Sequence, residues 1–376
     1  MTNWNNLEWI ATAAFGLEGV VGKELKALGF RDAKAELGGV RFIATPAKAF
    51  YAMMWLRCAD RVLLNLSSTK VLTFEELFQA VKRIPWEDFL PKDACFPVSG
   101  KCARSQLMSV SDCQAITKKA IVERLKNHYK TNWFQESGAT YPIDVSIHEN
   151  IARITLDLSG TALNRRGYRT WNGEAPLRET LAAALLRLSG WQPGQPLHDP
   201  CCGTGTLLIE AAMIQSHRAP GLKREFACEK WSFFPAQELQ DIRKEAEAVY
   251  DPGKIENISG SDIDPQALAL CKKHIVQAEM GGRIEVFEKD LRELQLTAQS
   301  GFFIANPPYG ERLGDRKSSE ALYAQFRLLL NRHPGFSMGV ISSHPGFERH
   351  FSRRAEKKYR LYNGRLECEF YRYDSV

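Results

Sequence analysis

The sequence predicts an α/β protein in two halves. An α+β N-terminal half is followed by a doubly wound parallel sheet that ends in an antiparallel hairpin. Three observations carry this. Before residue 160, short alternating apolar runs and short helical runs succeed one another without a fixed period. From Leu177, strand-like and helical runs alternate regularly, the pattern of parallel strands joined by helical crossovers. Near the C-terminus two alternating runs flank Asn363-Gly364, a pair that favours a type I′ hairpin turn.

In the first half, residues 8–14 alternate and stop at Gly16. Leu17, Val20, Val21, Leu25 and Leu28 then share one helical face that ends at Gly29, where glycine closes a helix readily. Residues 40–44 read as a strand, and 46–56 as a helix opened by Thr45 and Pro46. A strand over 61–67 precedes a helix over 73–83, whose Thr73 and Glu76 have capping-box spacing. Residues 97–103 form a strand, 111–129 a long helix, and 143–148 with 153–158 a hairpin about Glu149-Asn150. This half reads as two small α+β units, residues 1–58 and 59–160, with no catalytic constellation.

The polar stretch 161–176 carries Arg165, Arg166 and Arg169 against Glu174, and reads as a linker to a domain at 177–376. That domain opens with a helix over 177–188. Strands follow at 197–199, 258–262, 284–287, 302–305 and 338–342, separated by helices at 205–215, 265–279 and 319–331. The hairpin of 358–362 and 365–373 completes it.

Composition sets outer bounds. The 376 residues suffice for two or three domains, and 44% hydrophobic with 25% charged residues is an ordinary globular balance. No apolar run approaches the 18 or so residues needed to cross a bilayer, and the first ten residues lack a basic stretch ahead of an apolar core. A soluble, cytoplasmic protein is expected. Nine cysteines without a CxxC pair indicate reduced thiols, and Cys95, Cys102 and Cys113 have no partners at zinc-site spacing, so no metal is expected. A net charge of +6 permits a polyanionic partner without requiring one.

The residues that carry chemistry sit at predicted strand ends. Asp199-Pro-Cys-Cys202-Gly203-Thr-Gly205-Thr206 lies where a strand turns into a helix. Its glycines allow a tight bend and close approach to a ligand, and the helix start offers free N–H groups. Leu208 occupies the third glycine position of GxGxxG, and no GK[ST] follows, so neither the dinucleotide fingerprint nor the P-loop is present. Alone, this is also what a structural glycine turn looks like. At the end of the next strand stands Asp262, where doubly wound sheets bind a ribose hydroxyl pair, while Asp264 before Pro265 suits a helix cap. Asp290, after the third strand, could accept from an adenine amino group or cap a helix.

The fourth strand ends in Asn306-Pro307-Pro308-Tyr309-Gly310. The two prolines fix the backbone and remove two N–H donors, leaving carbonyls, one carboxamide and one aromatic ring. This set suits an exocyclic amine on a planar base. The Asn306 carboxamide oxygen and the Pro307 carbonyl accept its two N–H bonds, and Tyr309 stacks on the base. The rival reading is a rigid Pro-Pro turn. His198 and His344 are expected to be structural.

These four strand ends resemble the class I S-adenosylmethionine-dependent amino-methyltransferases with an Asn-Pro-Pro-Tyr motif, over residues 177–376, with a Rossmann-like sheet. The resemblance implies S-adenosyl-L-methionine as cofactor. It further implies that Asp199, Cys202, Gly203 and Gly205 meet its methionine end, Asp262 its ribose and Asp290 its adenine, with Asn306, Pro307 and Tyr309 at the reacting amine. Two departures stand out. Cys201-Cys202 replaces the more usual Phe-Cys, and 57 positions (205 to 262) separate Gly205 from Asp262 where about 20 are expected. Residues 217–257, with Trp231, Phe233, Phe234 and Pro235, are therefore an insertion, either a substrate lid or a surface excursion with its own small core.

Residues 60–160 are similar to a THUMP RNA-binding domain preceded by a ferredoxin-like unit. Asn164-Arg-Arg-Gly-Tyr-Arg169, Ala175-Pro-Leu-Arg-Glu-Thr180 and Asn306–Leu313 extend the likeness to the THUMP-linked methyltransferases. As a whole the chain resembles bacterial 23S rRNA guanine-N2 methyltransferases and their tRNA-acting relatives. This implies structured RNA, ribosomal or transfer, as partner, and no membrane. The motif itself serves guanine N2, adenine N6 and cytosine N4 alike. A DNA adenine-N6 methyltransferase and a non-catalytic RNA-binding assembly factor are the rivals. Lys101, Arg104, Lys118, Lys119, Arg124, Lys126 and Lys130 outnumber Asp112 and Glu123, and Arg353-Arg354 with Lys357-Lys358 form a second basic run. Either could grip phosphates or form a solvated face.

Overall fold

The computed structural model describes residues 2–169, 177–309 and 315–375. Two seven-stranded sheets organise it. The N-terminal half runs β1 (Leu7–Thr12), α1 (Glu18–Ala27), β2 (Lys34–Glu36), β3 (Gly39–Ala44), α2 (Pro46–Trp55), β4 (Arg61–Lys70), α3 (Phe74–Lys82), β5 (Val98–Ala103), α4 (Val110–Tyr129), β6 (Ile143–His148) and β7 (Ile151–Asp157). The caps fall where the sequence places them: Thr45 and Thr73 accept from the backbone N–H groups of Lys48 and Glu76.

The assembly differs from two separate units. The strands lie in the order β2-β3-β1-β4-β7-β6-β5, one continuous sheet. β4 makes the join, pairing with β1 through residues 61–64 and with β7 through residues 63–70, past an irregularity between Asn65 and Ser67. Its last three residues, Ser68-Thr69-Lys70, are polar and give no apolar alternation, yet the ladder needs only their backbone groups. β2 is three residues long and equally silent in the sequence.

The C-terminal half runs α5 (Glu179–Ser189), β8 (Leu197–Asp199), α6 (Thr206–Gln215), α7 (Ala236–Ala248), β9 (Ile258–Asp262), α8 (Pro265–Gln277), β10 (Glu285–Glu288), β11 (Gly301–Ala305), α9 (Asp315–Arg332), β12 (Phe336–Ser342), α10 (Phe347–Phe351), β13 (Lys357–Asn363) and β14 (Leu366–Tyr373). The sheet order is β10-β9-β8-β11-β12-β14-β13, parallel through β12 and antiparallel thereafter. The winding reverses between β8 and β11, and the crevice outside their C-terminal ends is where such sheets bind ligands.

The insertion is neither a lid nor a surface excursion. It fastens the two halves together. Trp231 stacks on Tyr141 with ring centroids 4.9 Å apart, and its indole N–H donates to the Thr140 carbonyl at 2.9 Å. Phe233 stacks on Trp4, Phe234 meets Trp9 edge-on, and Phe226 meets Phe50. The partners lie in the N-terminal half, which is why the aromatic run is buried and not exposed.

The polar linker is likewise a buried seam at its start. The Arg166 guanidinium donates to the carbonyls of Leu163 (2.7 Å) and Arg57, and meets Glu210 Oε1 of α6 at 3.4 Å. The Tyr168 hydroxyl donates to the same carboxylate at 3.2 Å. A buried cation needs such partners, and Arg166 therefore reads misleadingly as solvent-facing, while Arg165 is exposed. Residues 170–176, with Glu174, Ala175 and Pro176, lie outside the described residues. Among the described residues no helix is long and apolar enough to cross a membrane, and the nine cysteines are free thiols.

Candidate active site

A cavity of about 550 Å³ opens at the C-terminal ends of β8 and β11. Its wall includes Asp199, Cys202, Gly203 and Asn306 of the residues singled out in the sequence, together with Cys201, Thr204, Thr206 and Leu207 of the glycine loop. The other side is formed by Leu177 and by Asp264, Gln266, Ala267 and Leu270 at the start of α8.

The loop is held by backbone bonds. Asp199, which ends β8, accepts from Cys201 N at 3.0 Å, and the Cys202 N–H reaches the Ser261 carbonyl at 3.0 Å. Burial, with Asp262 adding negative charge nearby, pushes the Asp199 carboxyl well above the usual carboxylate range. Gly203 has φ +51°, and a Cβ there would meet no protein atom within 4 Å. Gly205 caps α6 at φ +84°, and a Cβ there would lie 2.5 Å from Cys271 Sγ. The first glycine thus leaves room at the wall, and the second lets α6 pack on α8.

Asp262 reaches the loop from β9. Its Oδ2 accepts from Gly203 N at 2.8 Å and its Oδ1 from Asp264 N at 3.0 Å. Asp264 caps α8 through Gln266 N at 2.8 Å and also lines the cavity, a double role the sequence reading gave only as a cap. A second acidic residue two positions past a strand end was the available signal. Asp290 stands two positions past β10. Its carboxylate pairs with the Arg292 guanidinium and accepts from Arg292 N at 2.8 Å, and it is not on the cavity wall.

Asn306 follows β11 and faces the cavity, while Pro307 is buried behind it. The Tyr309 hydroxyl donates to Asn306 Oδ1, and its ring packs against the core, so that burial, with Cys368 beside it, pushes the phenol well above its ordinary value. The Pro308 carbonyl accepts from Tyr323 of α9 at 3.3 Å, and Tyr323 accepts in turn from Ser342. Residues 310–314, with Gly310 and Leu313, lie outside the described residues. Arg169 of the seam donates to Thr206 Oγ1 and to the Leu177 carbonyl, tying two wall residues to the entering chain.

Of the histidines, His198 has both ring nitrogens on serine hydroxyls, Ser259 at 2.8 Å and Ser261 at 3.1 Å. His344 accepts from Gly346 N at 3.0 Å and lies 3.3 Å from Glu320, with His350 at 3.5 Å from the same carboxylate. Among the described residues these three side chains are close enough to share a metal ion, a grouping the sequence reading did not anticipate. Their hydrogen bonds argue against it. Nδ1 of His344 is an acceptor, so Nε2 of the neutral ring carries the hydrogen, and Arg349 donates to Nε2 of His350 at 3.2 Å.

The cavity fits S-adenosylmethionine by its chemistry. Carboxylates of Asp199 and Asp264 suit a ligand with ammonium and ribose donors, Leu207, Ala267 and Leu270 suit an adenine face, and the space at Gly203 would be filled by a side chain. Fold and site together define a class I S-adenosylmethionine-dependent methyltransferase.

Comparison with known proteins agrees along the chain. Residues 166–372 match the RMKL-like methyltransferase domain, 8–63 the RlmL ferredoxin-like domain and 72–157 the THUMP domain. YpsC of Bacillus subtilis (strain 168), provisionally named an RNA methyltransferase, is 40% identical over 366 residues, covering 97% of this chain and 95% of YpsC. A Listeria monocytogenes protein of solved structure, described as a predicted N6-adenine-specific DNA methylase, is 42% identical with TM-score 0.93, over 99% of this chain and 97% of its own. SMU.472, provisionally named a methyltransferase and solved with S-adenosylhomocysteine, is 36% identical with TM-score 0.95, over 100% and 99%. The chain belongs to the RMKL-like methyltransferase family, with THUMP and RlmL ferredoxin-like domains ahead of the catalytic one.

Proposed function

We propose that this protein methylates the exocyclic N2 amine of a guanine in 23S rRNA, in the cytoplasm. The observation that carries the amine chemistry is Asn306, set by β11 on the wall of the cavity beside the glycine loop. The RNA substrate is supported by the THUMP match and by the naming of YpsC; the guanine and the ribosomal RNA are supported by the full-length resemblance seen in the sequence.

S-adenosylmethionine supplies an electrophilic methyl group on sulfur. The chain's own part is positioning. The Asn306 carboxamide oxygen and the Pro307 carbonyl accept the two amine N–H bonds and aim the nitrogen lone pair at the methyl group. Before the base arrives, the Tyr309 hydroxyl occupies Asn306 Oδ1 and keeps the carboxamide oriented. The amine takes that place, which frees the Tyr309 ring to turn onto the base. Asp199, Gly203 and Asp264 would hold the cofactor.

The test is transfer of labelled methyl to protein-free 23S rRNA, 16S rRNA, tRNA and duplex DNA, with nucleoside analysis. N2-methylguanosine from 23S rRNA is the expected product. Label in a tRNA nucleoside would move the substrate, and N6-methyladenine in DNA, the activity named for the Listeria relative, would refute the reading. Asn306→Ala should lower transfer about 10²–10³-fold, the worth of one transition-state hydrogen bond, while S-adenosylhomocysteine binds as before. Loss of that binding would mean Asn306 has another role.

A further inference from the structure

A second and larger cavity, about 870 Å³, lies between the N-terminal sheet and the catalytic half. Its wall combines Ser99 and Lys101 of β5, Asp144 of β6, Asn164 and Arg165 of the seam, and Arg178 at the start of α5. Arg178 on this wall is the chain neighbour of Leu177, which lines the cofactor cavity.

The charges in it differ in how far they are already used. Arg61 is committed to Asp157 and the Gly160 carbonyl. Lys101, Arg165 and Arg178 are exposed, and their side chains make no ion pair or hydrogen bond with a described residue. The basic C-terminal run is only partly committed, since Arg354 and Lys357 are exposed and have no ion-pair or hydrogen-bond partner among the described residues. Arg353, Lys358, Arg360 and Arg372 are paired with Glu356, Glu348, Glu367 and Asp374. The same wall also carries acceptors. Asp60 takes one bond from Thr180, and Asp144 takes one from Ser99, which leaves each carboxylate further lone pairs.

A wall that carries both uncommitted cations and acceptors suits a strand that offers phosphates and hydroxyl donors. DNA offers the phosphates but not the 2′-hydroxyl, and an acidic peptide would be repelled by both aspartates. Resting on the reading above that the substrate is RNA, we propose that this groove holds the single-stranded RNA next to the target nucleotide. Lys101, Arg165 and Arg178 grip its phosphates, and Asp60 and Asp144 accept from 2′-hydroxyls. The preference for RNA over DNA is then made outside the methyl-transfer cavity.

The experiment is fluorescence-anisotropy binding of a mixed-sequence 15-nucleotide RNA, its DNA counterpart and poly-glutamate to the full chain across a salt series. S-adenosylhomocysteine affinity serves as the check on folding. The wild type should prefer the RNA. Combined Lys101→Gln, Arg165→Gln and Arg178→Gln should flatten the dependence of log affinity on log salt by about 2, near 0.7 for each phosphate contact on a single strand. Asp144→Ala should narrow the RNA-to-DNA preference about tenfold, as for loss of a hydrogen bond to a charged acceptor. Equal affinity of the wild type for RNA and DNA, an unchanged salt slope in the triple variant, or poly-glutamate binding as tight as RNA would overturn the proposal. Because no methyl transfer is read, a wrong target base leaves this result standing.

Discussion

Arg166→Met tests the seam at its centre. The substitution removes a guanidinium that is 2% exposed and leaves Glu210, 0% exposed, with the Tyr168 hydroxyl as its remaining hydrogen-bond donor. The carbonyls of Leu163 and Arg57 lose their donor as well. Breaking a buried pair from one side costs about 3–5 kcal/mol, because a charge is left uncompensated. Arg57 lies near Glu210 but is bonded to the carbonyls of Met213 and Arg218, so it offsets that charge only in part, and about 3 kcal/mol is expected. At roughly 2–4 °C per kcal/mol for a domain of some 200 residues, Tm should fall by roughly 6–12 °C. The decisive comparison is the double variant with Glu210→Gln. It removes the unpaired charge but not the two lost carbonyl bonds, and should regain about half of the fall. Thermal unfolding of the four proteins in the cycle reads this directly. A single variant within about 2 °C of wild type, or a double variant no better than the single, would refute the reasoning.

Three further outcomes are expected. Gly205→Ala forces a Cβ onto Cys271 Sγ at a left-handed φ, and should cost about 2–4 kcal/mol and weaken S-adenosylhomocysteine binding; calorimetric titration showing wild-type affinity would contradict it. Trp231→Ala removes the stack on Tyr141 and the bond to Thr140, and should cost about 3–5 kcal/mol and speed proteolysis between the halves, with an unchanged cleavage rate the opposing result. Burial, with His333 adding to it, depresses His198 from 6.5 to about 3. The folded chain keeps this ring neutral while the unfolded chain takes up a proton, so its contribution is full above pH 6.5 and is lost as pH falls toward 3. His198→Asn should therefore differ from wild type by a Tm gap that changes between pH 7 and 4.5; a constant gap would exclude this origin.

The parts of the site legible in the sequence are those made by neighbouring residues. Asp199 to Thr206 announces a strand-to-helix turn because glycine spacing and helix start are local, and Asn306-Pro307 marks a strand end because proline forbids the ladder to continue. The parts that were not legible depend on partners far along the chain. Trp231 finds Thr140 across 91 positions, and nothing in the run Trp231–Pro235 says whether it covers a substrate or another domain. Arg166 looks solvent-facing until Glu210 is placed beside it, 44 positions on. Asp290 shows the opposite case: its partner, Arg292, is only two residues away, a local pairing that strand position alone does not announce.

The aromatic wedge of residues 226–234 has a consequence for how a target is chosen. With Trp231, Phe233 and Phe234 locked into the N-terminal half, the separation between the THUMP strands and Asn306 is a fixed length set by covalent and packed structure. With RNA held on those strands as proposed, a chain built this way would work as a caliper. It would select a base by how far it stands from the part held there, and a target of the right chemistry at the wrong distance would be passed over.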